Sequence, residues 1–151
     1  MPTHHAGTRD ECRALNAYIA LMRASESLNA RLSRALESSG LTAGQFGALE
    51  ALHHLGPMCQ RALAEKLLRS GGNITMVVDN LEKRGLVERK RGTEDRRYVL
   101  VQLTKEGKKL IKELFPRHLE EIVREMKALP GSDQEELRRI CRTLGRQENR
   151  T

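Results

Sequence analysis

Residues 59–103 run CQRALAEKLLRSGGNITMVVDNLEKRGLVERKRGTEDRRYVLVQL, and two helical patterns followed by one of strand type succeed each other inside this stretch. Leu63 and Leu67 lie four apart, the spacing of one helix face; Ser70-Gly71-Gly72 breaks the pattern; Ile74, Val77, Val78 and Leu81 resume it. Two short helices joined by a turn would bury those rows. The second would leave Asn73, Thr75, Met76, Asp79, Asn80 and Lys83 pointing away from the core.

Gly85 stands where a helix ends in a left-handed residue, and Leu86 supplies the apolar contact that accompanies such a cap. The chain then reads as extended. Val87 to Arg91 forms one strand and Tyr98 to Leu103 a second, with Val99, Val101 and Leu103 alternating on one face and a charged tip from Gly92 to Arg97. Helix, turn, helix and hairpin in that order describe a winged helix-turn-helix.

The remainder of the chain frames this module. At 151 residues it fits one domain, or a small module in a larger helical frame, with a modest core. Its 27 basic against 20 acidic residues give a net charge of +7, and Lys83 to Arg97 alone holds seven Lys or Arg against Glu88, Glu94 and Asp95. A basic run standing alone is most often a solvated face. Beside a helix of recognition type the balance moves toward nucleic acid.

No apolar run approaches membrane-spanning length, and MPTHHAGTRDEC has neither a signal core nor a cleavage pattern, so the expected location is the cytoplasm. Cys12, Cys59 and Cys141 are odd in number, widely separated and without metal-type spacing, which argues against a disulfide framework.

Residues 1–10 read as a loose tail, followed by a helix from about Glu11 to Ser38 whose stripe is Leu15, Tyr18, Ile19, Met22, Leu28, Leu32 and Leu36. Such a helix is a rod of roughly 40 Å, and so long a stripe needs a partner. Thr42 and Gln45 form a capping box, stapled by Leu41 and Phe46, and Gly56-Pro57 stops the helix that they open. Beyond the hairpin, Thr104 caps a helix that Pro116 should kink; Leu129-Pro130-Gly131 should end it, and Ser132 with Glu135 should cap a last helix. The expected division is 1–40, tail and dimerisation helix; 41–104, winged helix-turn-helix; 105–151, C-terminal dimerisation helices. The outer helices hold more apolar surface than the lobe can cover, so a homodimer is expected.

The stretch SGGNITMVVDNLEKRGLVER, then EDRR, hydrophobic alternation and LTKEG, resembles the MarR family of transcriptional regulators over nearly the whole length. The resemblance implies a mainly α fold with a small β-hairpin wing, and a triangular dimer held by its terminal helices. It also implies two lobes reading a palindromic operator in double-stranded DNA, most often as a repressor. Two-fold dimers need recognition helices about one DNA turn, ~34 Å, apart, and a frame of long helices can set that distance.

On this reading the DNA-contact set is Gln60 and Arg61 at the start of the first helix of the pair, then Ser70, Gly72, Asn73, Thr75, Met76, Asn80 and Lys83, with Arg96 and Arg97 on the wing. Asn73 or Asn80 can hold an adenine edge with two hydrogen bonds, and Met76 can touch a thymine methyl. The bland alternative is that Ser70 or Asn73 merely caps the helix. The family's wing motif, Asp-x-Arg, is matched by Asp95-Arg96-Arg97, in which the acid braces an arginine entering the minor groove. A surface ion pair that only stiffens the turn is the alternative. The wing departs from the usual pattern in having Gly92 and Glu94 where the family more often has Asp and Arg.

The resemblance further implies a small aromatic or phenolic effector between frame and lobe. SGGNIT and Phe115-Pro116-Arg117-His118 are similar to the branch that answers quinone-like compounds. Tyr18, Met22, His53 and Met58 are pocket candidates, although Met and Tyr at this spacing are more often core. A switch by thiol oxidation and a protein-docking winged helix are the rival readings. Free, inert thiols fit the surroundings of Cys12 and Cys141 better, and Cys12 lies about two turns before Tyr18 rather than among tyrosines. His53 and His54 are neighbours that diverge by about 100 degrees on a helix, so they do not form a metal pair, and no cofactor is expected. No phosphate-cradling glycine loop with its lysine, no G-x-S-x-G and no zinc spacing is present, which argues against an enzyme.

Overall fold

The computed structural model describes residues 2–67 and 71–146. In chain order it holds α1 (Arg9–Leu36), a 3-10 turn (Glu37–Ser39), α2 (Ala43–Leu55), α3 (Gln60–Leu67), α4 (Gly71–Lys83), β1 (Val87–Arg91), β2 (Val99–Leu103), α5 (Lys105–Met126) and α6 (Gly131–Gly145). The fold is mainly α with one antiparallel hairpin, in which Val87 faces Leu103, Arg89 faces Val101 and Arg91 faces Val99. Met58 extends the hairpin by a single bridge, its amide donating to Val101 O at 3.1 Å and its carbonyl accepting from Val101 N at 2.8 Å.

Local chemistry sets most boundaries. Thr42 Oγ1 accepts from Gln45 N, and Gln45 Oε1 accepts from Thr42 N, both at 3.1 Å, so the capping box opens α2 as expected. Gly56 ends α2 at φ 84° and Gly85 follows α4 at φ 73°. Leu86 N reaches back to Leu81 O at 3.0 Å, and Leu86 is buried, which completes a Schellman end with its apolar contact. Thr104 caps α5 by accepting from Gly107 N at 3.1 Å, while its own hydroxyl donates to Gly85 O at 2.6 Å. A Cβ on Gly107 would overlap the Leu86 carbonyl, so glycine is required for α5 to lie this close to the end of the α4 turn.

Four expectations need correction. α1 begins at Arg9, two residues before the expected start, because Thr8 and Glu11 form a capping box at the end of the supposed loose tail. Gly71 and Gly72 are not a break: both belong to the first turn of α4, and Ser70 lies outside the described residues. α5 already ends at Met126, three residues before Leu129, with Pro116 inside it. α6 starts at Gly131 with Pro130 as its N-cap and no side-chain cap bond, so the capping box of Ser132 with Glu135 does not form. Pro130, with ψ of 156°, already turns the chain into the helix two residues before Ser132 could cap it.

The core sits in the lobe. Leu36, Leu41, Phe46, Leu49, Leu52, Leu63, Ile74, Val78, Leu81, Leu86, Val87, Val101, Leu103 and Ile111 form one buried cluster that joins α2, α3, α4, the hairpin and the start of α5. α1 contributes only Leu36 to it, and α6 buries nothing among the described residues. Tyr18 is 61% exposed and Leu144 52%; Leu119, Val123 and Ile140 are exposed as well. Apolar area in water costs on the order of 25 cal/mol per Å² relative to burial, so these exposed faces are held at a cost.

Candidate nucleic-acid interface

α4 turns its apolar row of Ile74, Val78 and Leu81 inward and leaves Asn73, Thr75, Met76, Asn80 and Lys83 exposed. Met76, a large apolar side chain, is 64% exposed on this otherwise polar face. Asp79 does not join that face. It is half-buried and turned toward the wing, where its Oδ1 accepts from Arg89 Nη2 at 2.6 Å.

Arg89 is the feature the sequence reading missed. Its guanidinium also donates to Glu82 Oε1 at 3.0 Å and to Gln60 Oε1 at 2.9 Å, and its amide donates to Glu82 Oε2 at 3.2 Å. Gln60 Nε2 in turn donates to Thr75 Oγ1 at 3.2 Å. One side chain on β1 thereby fastens the start of α3, two turns of α4 and the hairpin into one unit. It also offsets one of the two negative charges that Asp79 and Glu82 place beside the exposed face of α4. Strand alternation held the signal: counting from buried Val87, Arg89 falls on the same face of β1 and must meet counter-charges there.

The wing tip is built around Asp95. Its Oδ1 accepts from Arg97 N at 3.0 Å and from Arg97 Nε at 3.2 Å, and Oδ2 accepts from Arg97 Nη2 at 3.4 Å. The Arg97 amide, and then its guanidinium, hold the Asp95 carboxyl below the usual carboxylate range. Arg97 is nonetheless 93% exposed, a cation aimed outward on a braced stem. Gly92 N donates to Tyr98 O at 2.7 Å, and a Cβ on Gly92 would crowd Asp95 O, so glycine belongs where an acid stands in the usual wing pattern. Arg96 is exposed beside it, its carbonyl accepting from Arg91 Nη1 at 3.4 Å.

The structure therefore brings Gln60, Thr75, Asn73, Met76, Asn80 and Lys83 onto or beside one helix face, with Arg96 and Arg97 at the tip of the adjoining hairpin. Gln60 and Thr75 serve the Arg89 network, Arg61 is exposed next to Glu65 at 3.8 Å, Gly72 lies inside α4, and Ser70 is outside the described residues.

The pocket candidates are not brought together within one chain. Tyr18 faces a groove of about 600 Å³ between α1 and α6, where Leu137, Ile140, Cys141 and Leu144 form the other wall. His53 borders a separate depression of about 470 Å³ with Pro57, Gln102 and Lys112, Met58 is engaged with Val101, and Met22 is exposed on α1. A third hollow, about 230 Å³, lies where the end of α1 meets α5 and is bordered by Ser39, Leu114 and His118. The His118 ring lies 4.3 Å from that of Phe46, its Nδ1 is buried without a hydrogen bond, and burial pushes its pKa down against the opposing pull of Glu50. Cys12, Cys59 and Cys141 are free thiols, Cys12 Sγ donating to His5 O at 3.5 Å. Among the described residues no helix is long and apolar enough to cross a membrane.

Comparison with known proteins agrees with this geometry. Residues 41–99 match the model of the MarR family. The HTH-type transcriptional regulator MhqR of Bacillus subtilis (strain 168) is 32% identical over 133 residues, which span 88% of this chain and 92% of that protein. Among solved structures, AbsC, a MarR family transcriptional regulator from Streptomyces coelicolor, superposes with a TM-score of 0.81 at 22% identity, covering 95% of this chain and 96% of that one. NadR in complex with 4-hydroxyphenylacetate superposes with a TM-score of 0.73 at 27% identity, covering 98% of this chain and all of the other. An exposed α4 face braced through Arg89, a wing cation braced by Asp95 and a match over nearly the whole length lead to one conclusion: the chain belongs to the MarR family of winged-helix transcriptional regulators.

Proposed function

We propose that this regulator is a homodimeric, cytoplasmic repressor that binds an inverted-repeat operator and is released by a small phenolic or quinone-like ligand. The observation that carries the reading is the pairing of an exposed Asn73, Met76 and Asn80 face on α4 with the outward Arg97 held by Asp95. A helix face of this kind suits base edges in the major groove, and a cation on a hairpin suits the adjacent minor groove. Lys83, Arg61 and Arg96 supply positive charge for phosphates around that face, and residues 41–104 are the unit that carries it. Residues 1–40 and 105–151 form the frame, and the open apolar faces of α1, α5 and α6 are what a second copy would cover. The ligand class follows from NadR, solved with 4-hydroxyphenylacetate, and the site from the hollows where frame and lobe meet.

Selection of bound duplexes from a random pool tests the reading. Palindromic half-sites about 10 base pairs apart, bound with a steep fall in affinity as salt rises, support it. Recovery of no preferred sequence, or binding indifferent to salt, contradicts it. Phenols and quinones are then screened for release of the recovered site.

A further inference from the structure

α4 ends at Lys83, and the next side chain, Arg84, turns toward the frame. Its Nη1 donates to Gly40 O at 3.0 Å and its Nη2 to Ser39 O at 3.4 Å. Those carbonyls close the 3-10 turn that ends the long first helix, with Gly40 in the left-handed region at φ 72°. Carbonyls at a helix C-terminus lack partners within the helix and carry its partial negative charge, so a guanidinium fork there both satisfies and neutralises them. The corner is otherwise firmly set: Ser39 Oγ donates to Leu36 O at 2.5 Å and accepts from Leu41 N at 3.3 Å, and Leu36 and Leu41 are both buried. The hollow bordered by Ser39 and His118 opens on this same corner.

We infer that Arg84 is the positioning residue that fixes the recognition helix relative to the dimer frame, and so sets which half-site spacing the dimer accepts. This rests on the reading of a dimer on an inverted repeat. α4 packs on α2, α3 and β1, all parts of its own lobe; the Arg84 fork ties its end to the terminus of the frame helix α1. A lobe rotating about that corner would change the distance between the two reading helices with little change inside either lobe. Holding the corner therefore holds the spacing. Whatever enters the hollow beside Ser39 acts on one end of the same strap.

The test compares wild-type protein with Arg84→Ala and Arg84→Lys on the selected operator and on duplexes whose central spacer is one or two base pairs longer or shorter. Wild type should prefer the native spacing about ten-fold or more; the alanine variant should lose most of that preference, to about three-fold or less, and lysine should restore part of it. Affinity for random DNA and its salt dependence should stay unchanged, because the Arg84 guanidinium is engaged by the Gly40 and Ser39 carbonyls. A mere loss of stability would lower Tm but leave the spacing preference intact, and that result overturns the inference, as does a shallower salt dependence marking Arg84 as a phosphate contact. A wild-type protein indifferent to spacing would instead overturn the dimeric reading itself.

Discussion

The Arg89 guanidinium donates to Asp79 Oδ1 at 2.6 Å, joining the first wing strand to the middle of α4. Arg89 is 23% exposed and Asp79 49%, so the pair is partly screened by solvent and its value lies as much in position as in energy. Arg89→Ala should lower stability by about 1–2 kcal/mol, a discounted figure for lost charge-assisted hydrogen bonds. That corresponds to about 3–6 °C in Tm. Operator affinity should fall further, since Asp79 and Glu82 are left as unpaired anions beside phosphate. Asp79→Asn added to Arg89→Ala should recover part of the affinity, measured by fluorescence anisotropy; no recovery would remove charge cancellation from the account.

Met76→Ala should reduce discrimination between operator and random DNA about ten-fold while non-specific binding changes little, because base contacts specify and phosphate contacts position. Equal losses on both DNAs would take Met76 out of the reading set.

Arg97→Ala should weaken operator binding by about 1–3 kcal/mol and leave folding intact, since the side chain is almost wholly exposed. Circular dichroism and anisotropy at physiological salt check the two halves of this statement. Unchanged affinity would contradict the wing assignment.

His118 predicts a pH dependence of stability. Its pKa in the fold lies below the ordinary 6.5 of the unfolded chain, because burial disfavours the charged ring. The unfolded state therefore binds more protons below that value, so stability is flat above about pH 6.5 and falls as the pH drops from there toward the folded pKa. His118→Gln should lose less Tm between pH 7.5 and 5.5 than wild type. An equal loss in both would assign the acid sensitivity elsewhere.

Gly107→Ala should cost about 2–4 kcal/mol, the range of severe overpacking against main chain, because Leu86 O occupies the space its methyl needs. Thermal unfolding measures it, and a Tm within a degree of wild type would mean that α5 can retreat from the turn.

Much of the fold was legible because its boundaries are set by local chemistry: Thr42 with Gln45, Gly85 with Leu86, and Thr104 all act within a few residues of themselves. The failures were of two kinds. Thr8 with Glu11 straddles the end of a stretch that reads as a loose tail, and Ser132 was misplaced because Pro130 starts the helix first. The site was less legible. The brace of Asp95 on Arg97 is a contact between neighbours, whereas the roles of Arg89 and Arg84 depend on residues 29 and 44 positions away, Gln60 and Gly40. A run of basic residues does not say which of them turns inward.

The central claim is that paired α4 faces and Arg97 wings read a two-fold duplex. The most direct measurement is the affinity of the purified, ligand-free protein for its selected palindrome against a scrambled duplex near 150 mM salt, with the mass of the complex determined alongside. The account predicts two chains per duplex and a preference of about 10³-fold or more for the palindrome. Equal affinity for both duplexes, or a single chain bound, would contradict it.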